Sequence, residues 1–217
     1  MDEWGVDAAL TASQKAIGTP PGLALLVAGP RALEAFHRRK TPVQNYYGDW
    51  TNWLPVMQAY EQRKPSYFGT PAVNLVSALN VSLGQILAER MEARFARHRA
   101  LSAACKAGID AIRLGQVPLE ARYSAHTMTA PRYPAGVEAG RFIAEASNAG
   151  VILAGGLHPS IKSEYFRIGH MGVANLGDIL TALAAVETAL DECGFSCESG
   201  ASLQAAHKAY RMMAKEG

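Results

Sequence analysis

The chain has 217 residues, of which 49% are apolar and 18% are charged, so it can form one large domain or two small ones around a real core. This composition excludes a disordered tail protein, and a formal net charge of +2 gives no reason to expect a nucleic-acid partner. No apolar run approaches the ~20 residues that span a bilayer, so we expect no membrane partner.

Two short apolar runs near the start, GVDAALTA (5–12) and LALLVA (23–28), predict a pair of buried strands. Each run is bounded by residues that are typical of turns. The connection between them reads SQKAIGTPPG, and it holds Lys15 just before a turn rich in glycine and proline. Residues 31–39 then predict a short helix, because a proline fixes its first turn.

An aromatic segment follows at 45–71, where several prolines divide it into short pieces. It predicts a helix over 50–62 and an extended loop over KPSYFGTP, because a residue before proline avoids the helical region. From residue 72 the apolar spacing becomes helical. Residues 72–113 predict one long or once-broken helix that links two domains.

The remainder of the chain alternates between strand and helix patterns. Strands are predicted over 123–133, 151–156 and 164–172, and helices over 136–150, 175–193 and 201–215. This order predicts a small sheet with helices on one face. Together with the preceding elements it indicates two domains, with a boundary near residues 85–95 on the long helix.

Three cysteines, an odd and sparse set, are typical of a reducing compartment rather than of a disulfide-linked secreted domain. Cys193 and Cys197 are four residues apart, but no second Cys/His pair follows at zinc-finger spacing, so we predict no metal. The first residues lack a basic signal sequence, and the last, MAKEG, lack a Ser-Lys-Leu address. We therefore expect an intracellular protein, either cytoplasmic or peroxisomal.

Lys15 allows three chemical interpretations. The default is a solvated surface lysine. In the second interpretation Lys15 binds a phosphate group through its positive charge, but the glycine-rich Walker pattern is absent. The third is a Schiff-base nucleophile, whose amine must be held in a fixed place to attack a carbonyl. The spacing alone favours the surface lysine.

Three long segments of the sequence favour the Schiff-base interpretation of Lys15 instead. The stretches SQKAIGTPPGLALLVAGPRALE, YYGDWTNWLPVMQAYEQRKPSYFGTPAVNL and ILAGGLHPSIKSEYFRIGHMG resemble, in family order, the class V aminotransferases that depend on pyridoxal phosphate (PLP). The resemblance is closest to the alanine-glyoxylate and serine-pyruvate branch, and it extends from Asp2 to about Leu190. It implies the C-terminal portion of a fold-type I PLP-dependent transferase: a remnant of the large α/β cofactor domain over 1–88, a long linking helix, and a small α+β domain over 89–217.

The same resemblance implies transamination of a small amino acid, alanine or serine, with glyoxylate or pyruvate as the acceptor 2-oxo acid, in a homodimer. It implies that Lys15 forms the Schiff base with PLP and that Gln14 lines the cofactor pocket. It also implies that Arg167 grips the substrate carboxylate with its planar guanidinium. Without the resemblance, an arginine on the exposed face of an edge strand is the simpler interpretation.

Tyr67 and Thr70 match family positions that contact the cofactor phosphate across the dimer interface, although a turn whose tyrosine packs on a neighbouring helix explains them too. Gly155 begins a glycine turn that passes close to the substrate in the family, although a plain turn after a strand explains it almost as well. We interpret His158 and His170 as supporting or surface residues rather than as acid-base groups or metal ligands.

Only fourteen residues precede Lys15, whereas the family places most of its cofactor domain before the lysine. The absent part includes the phosphate-binding helix start and the aspartate that pairs with the pyridine nitrogen. We therefore expect an N-terminally truncated chain with little activity alone, exposed strand edges and a need for a partner chain. Two alternatives are a catalytically silent interaction or dimerisation fragment, and a cysteine desulfurase, for which Cys105 on the long helix is poorly placed.

Overall fold

The computed structural model describes residues 1–215, and the chain divides into two compact units, Met1–Gln85 and Ile86–Gly217. The first unit contains strands β1 (Ala8–Ala12) and β2 (Ala24–Ala28) and helices α1 (Pro30–His37) and α2 (Trp50–Glu61). Helix α3 (Val73–Glu89) begins in the first unit and ends in the second. Within the described residues, no helix has both the length and the apolar character that crossing a bilayer requires.

Strands β1 and β2 form an antiparallel hairpin in which Leu10 lies opposite Leu26. The prediction of two strands is correct, but the prediction that they are buried is wrong. The Leu10 side chain is 80% exposed and Val27, on the other face, is 59% exposed. Apolar residues on both faces are typical of a strand pair covered by helices on both sides, so this hairpin leaves open the strand edges and apolar faces that we expected.

The helices of the first unit confirm the helix predictions over 31–39 and 50–62. Asp49 caps α2, because its carboxylate accepts a hydrogen bond from the Thr51 N–H at 3.0 Å. Pro55 is predicted to divide this segment, but it lies inside α2. Because proline has no N–H, the helix lacks one backbone hydrogen bond at this position. Among the described residues of this unit, Val56 is the only buried apolar side chain.

Residues 72–113 are predicted to form one long helix or a helix with a single break. The structure has the single break. Helix α4 (Met91–Ala111) follows α3 directly, and Arg90 between them has a φ of 70°, a backbone conformation that ends a helix. Glu89 stabilises the break by accepting hydrogen bonds from the Arg97 Nε at 2.6 Å and the Arg94 Nη1 at 2.7 Å. These two guanidinium groups lower the pKa of Glu89 to about 2, the hydrogen bond from Arg97 being the largest cause.

The second unit contains a three-stranded antiparallel sheet in the order β3-β5-β4. Its elements after α4 are β3 (Met128–Thr129), α5 (Ala139–Asn148), β4 (Ala154–Gly155), β5 (Phe166–Gly169), α6 (Leu176–Glu192) and α7 (Ala201–Met213). One continuous apolar core joins the sheet to these helices, and its largest buried members are Phe142, Phe166, Leu101, Ile109, Ile112, Ile179, Leu183 and Leu190.

The three predicted helices of this unit are present, and α6 begins with a capping box between Asn175 and Asp178. The three predicted strands are present but are shorter than predicted. The stretch 123–133 keeps only two strand residues, because Pro131 has no N–H to donate to a continuous ladder. Isolated bridges, such as that between Arg132 and Tyr165, continue the pairing beyond the strands.

Candidate active site

Lys15 lies on a turn whose backbone is held by buried hydroxyl groups. Ser13, directly after β1, donates its hydroxyl to the Pro20 carbonyl at 2.9 Å. Thr19 donates its hydroxyl to the Ser13 carbonyl at 3.1 Å, and the Ser13 N–H donates to the Leu23 carbonyl at 3.1 Å. Because Ser13 and Thr19 are both buried, these bonds fix the path of the turn.

The side chains of the two predicted cofactor-binding residues of this turn take no part in that network. Gln14 and Lys15 are both exposed, and the Lys15 side-chain amine makes no hydrogen bond or ion pair with any residue in the described part of the chain. Its carbonyl accepts the Gly18 N–H at 3.0 Å, and the Ser82 hydroxyl of α3 donates to the Ile17 carbonyl. The turn therefore presents a free amine from an anchored backbone, which differs from an ordinary lysine on a mobile surface.

Tyr67 and Thr70 lie together on the loop after α2, where both are exposed. The alternative in which this tyrosine packs on a neighbouring helix is wrong, because Tyr67 is 75% exposed. Its neighbour Phe68 occupies that position instead, with its ring centroid 5.0 Å from Trp53 and 4.9 Å from Tyr46. Phe68 fixes the loop, and the Tyr67 hydroxyl remains available to a ligand.

Arg167 lies on β5, the central strand of its sheet, so the simpler interpretation as an edge-strand arginine is wrong. Its neighbours Phe166 and Ile168 face the core, which places Arg167 on the opposite face. The Arg167 Nε donates to the carbonyl oxygen of Gly155 at 2.7 Å. No described residue pairs with the two Nη groups of Arg167. These two groups can therefore bind a carboxylate through two hydrogen bonds.

The two glycines beside Arg167 have different surroundings. A Cβ atom at Gly155 would meet nothing within 4 Å, so open space adjoins this residue. A Cβ atom at Gly156 would lie 2.5 Å from the Lys162 carbonyl oxygen and 2.6 Å from Tyr165 Cε1. Glycine is therefore required at 156 by packing, and at 155 it leaves room next to the arginine.

The Tyr165 hydroxyl accepts hydrogen bonds from the backbone N–H groups of Leu157 at 2.9 Å and His158 at 3.2 Å. These donors, His158 foremost, lower the pKa of Tyr165, and the charge of Arg167 acts in the same direction. Tyr165 is not among the site residues predicted from the sequence. Its only signal was its position two residues before Arg167, which places both side chains on one face of a strand.

The two candidate histidines have unlike environments. His158 is exposed, whereas His170 is fully buried and its Nε2 lies 2.8 Å from the Thr129 Oγ1. The description of His170 as a possible surface residue is therefore wrong. Burial, with the nearby positive charge of Lys106, lowers the pKa of His170 to about 4.

The buried His170 predicts acid sensitivity of the second unit. The folded protein keeps this imidazole neutral, whereas the unfolded chain binds a proton near pH 6.5, so stability is fully present above pH 6.5 and is lost as the pH falls towards 4. At 1.36 kcal/mol per pKa unit, the expected loss is about 3 kcal/mol. Urea unfolding between pH 7 and pH 4.5 measures it. A His170→Asn variant with the same pH slope would contradict this origin.

Cys105 is buried in the core on α4, and burial raises its pKa to about 11. A cysteine desulfurase needs a reactive cysteine on a mobile loop near the site. Because the Cys105 thiol is inaccessible and resists ionisation, it does not supply that group. The desulfurase alternative therefore has no support from Cys105.

Comparison with known proteins shows which family the chain belongs to. Alanine–glyoxylate aminotransferase 1 of Saccharomyces cerevisiae is 42% identical over 177 residues, which cover 80% of this chain and 45% of the relative. An uncharacterized aminotransferase of Methanocaldococcus jannaschii is 36% identical over 201 residues, 92% of this chain and 51% of the relative. No family model matches the chain.

A solved structure agrees with these relatives. The ureidoglycine–glyoxylate aminotransferase of Bacillus subtilis superposes with a TM-score of 0.88 at 27% identity, covering 97% of this chain and 53% of that one. The fold and these matches place the chain among the aminotransferases. It belongs to the class V aminotransferase family and matches the C-terminal portion of those proteins, which confirms the predicted fold class. The chain spans about half the length of the curated relatives it matches.

Proposed function

We propose that this chain contributes to a PLP-dependent transamination of a small amino acid, alanine or serine, with glyoxylate or pyruvate as acceptor. The observation that carries the proposal is the free Lys15 amine on a turn anchored by Ser13 and Thr19. The relatives support the substrate class, since one of them is an alanine–glyoxylate aminotransferase.

The residues present fit PLP. Lys15 offers an unpaired amine for the aldehyde carbon, and Gln14 lies exposed beside it on the same turn. Tyr67 and Thr70 offer exposed hydroxyls, which are suitable donors to a phosphate group. When bound, PLP supplies the electron sink that stabilises negative charge on the substrate Cα.

Two side chains of this protein act on the substrate in the proposed reaction. The Lys15 amine would act as the base that takes the proton from the substrate Cα and holds it for return. Arg167 binds the substrate carboxylate through its two Nη groups, while its Nε remains bonded to the Gly155 carbonyl. The open space at Gly155 leaves room for the substrate next to that guanidinium.

We further propose that residues 1–88 serve as the cofactor-binding part and 89–217 as the small domain, in a homodimer where Tyr67 and Thr70 contact the cofactor phosphate of the other subunit. The exposure of both residues supports this role. The three cysteines are free, which supports an intracellular location, cytoplasmic or peroxisomal.

The test is transfer of an isotope-labelled amino group from alanine to glyoxylate. This chain is supplied with PLP and assayed alone, then mixed with the other half of the S. cerevisiae relative as a separate polypeptide. We expect labelled glycine in the mixture, because that half supplies residues that the chain does not contain, and none with Lys15→Ala. A mixture that binds PLP at Lys15 yet transfers no label would contradict the proposal.

A second candidate is a catalytically silent interaction fragment. The observation that favours it is the open β1–β2 hairpin, in a chain that spans about half of its relatives. Titration with PLP followed by borohydride reduction separates the two candidates. A reduced adduct at Lys15 favours the enzyme, and no adduct at any PLP concentration favours the silent fragment.

A further inference from the structure

The Tyr165 hydroxyl is hydrogen-bonded to the turn that follows β4, residues 155–158. It accepts the N–H groups of two consecutive residues, Leu157 and His158, and the Tyr165 ring packs so closely on Gly156 that no Cβ atom fits between them. The turn is therefore held at two points, by hydrogen bonds at its far end and by ring packing at its centre.

The same turn holds the guanidinium group of Arg167. In the β4–β5 pairing Arg167 lies opposite Ala154, and its Nε donates to the carbonyl oxygen of the next residue, Gly155, at 2.7 Å. A guanidinium is planar, so fixing its Nε–H direction also restricts the plane in which the two Nη groups can meet a carboxylate. A continuous series of contacts thus runs from the Tyr165 hydroxyl through the turn to Arg167.

We propose that Tyr165 is a positioning residue that orients Arg167 for carboxylate binding by fixing the 155–158 turn. The inference rests on the proposed role of Arg167 as the carboxylate ligand. Holding the guanidinium in its binding orientation before the ligand arrives lowers the ordering cost of binding. Tyr165 itself does not touch the substrate in this arrangement.

The test replaces Tyr165 with phenylalanine in the full chain, with Tyr123→Phe as the matched control, because Tyr123 is exposed and lies outside the β4–β5 turn. Tyr165→Phe removes one hydroxyl and keeps the ring that covers Gly156. We expect faster amide exchange at Leu157 and His158, faster exchange of the Arg167 Nε–H observed by NMR, and about fivefold weaker binding of pyruvate. The control is expected to match the unsubstituted chain in all three.

A second variant, Gly156→Ala, keeps the hydroxyl, but its Cβ atom would overlap both the Tyr165 ring and the Lys162 backbone. The turn must therefore shift relative to Tyr165, and the same three changes are expected. Unaltered Arg167 Nε–H exchange in both variants would overturn the positioning role, and so would unchanged pyruvate affinity where the unsubstituted chain binds pyruvate. If neither the unsubstituted chain nor its mixture with the other half of the S. cerevisiae relative binds pyruvate, the carboxylate role of Arg167 in the proposed function fails. The exchange measurements still decide whether Tyr165 orients Arg167.

Discussion

Replacing Lys15 with alanine is expected to abolish covalent attachment of PLP to the chain. After incubation with PLP and reduction with borohydride, peptide mass spectrometry should find the cofactor on Lys15 in the unsubstituted protein and on no residue of this turn in Lys15→Ala. The physical reason is that the anchored turn presents one unpaired amine, and alanine leaves nothing that can bond to the aldehyde carbon.

The matched control is Lys64→Ala in the same unit. Lys64 is exposed like Lys15, but its amine is hydrogen-bonded to the Gln62 side chain at 2.9 Å. This variant should keep the label on Lys15. Equal labelling of Lys15 and Lys64 in the unsubstituted chain would mean that PLP reacts with any surface lysine, and it would remove the special role of Lys15.

Replacing Arg167 with alanine is expected to weaken binding of a carboxylate substrate by about 2 to 5 kcal/mol, the usual cost of removing one partner of a hydrogen-bonded charge pair. The affinity for pyruvate should fall at least thirtyfold, which NMR titration can measure. Arg167→Lys should recover only a small part of this loss, because an ammonium group cannot reproduce the two parallel hydrogen bonds of a guanidinium.

Arg132→Ala is the control for this substitution. Arg132 lies in the same unit, but its Nη1 is paired with Glu164 at 2.6 Å, so it is not available to a substrate. Its replacement should leave pyruvate affinity unchanged. If both arginine variants weaken binding equally, pyruvate responds to net charge rather than to a site at Arg167.

The helices were predictable because their signals are local and long. Each of α3, α4 and α6 repeats its apolar spacing over several turns, and α6 carries its capping residues in the sequence. The strands were less well predicted, since β3 and β4 contain two residues each and their ends depend on which partner strand donates hydrogen bonds. The exposure of β1 and β2 was missed because burial depends on what covers a strand, and a local apolar run does not record it.

The candidate site was predictable where a family motif marks it and not where tertiary contacts build it. Lys15 and Arg167 lie in segments whose residue order alone resembles the aminotransferases. Nothing in that order reveals that Ser13 and Ser82 anchor the turn or that Tyr165 holds the residues beside Arg167. These contacts join residues up to 65 positions apart, and single hydroxyls have no periodic signal.

The open hairpin of the first unit matters for the fate of the newly made chain. Residues 8–28 leave the ribosome before the helices that form the core of the second unit have been synthesised, so this pair of apolar strands is available to chaperones and to neighbouring nascent chains before that core exists. Folding of the later residues does not cover these strands, because Leu10 and Val27 are still exposed in the folded chain. We therefore expect the yield of this chain in a cell to rise when another surface covers Leu10 and Val27.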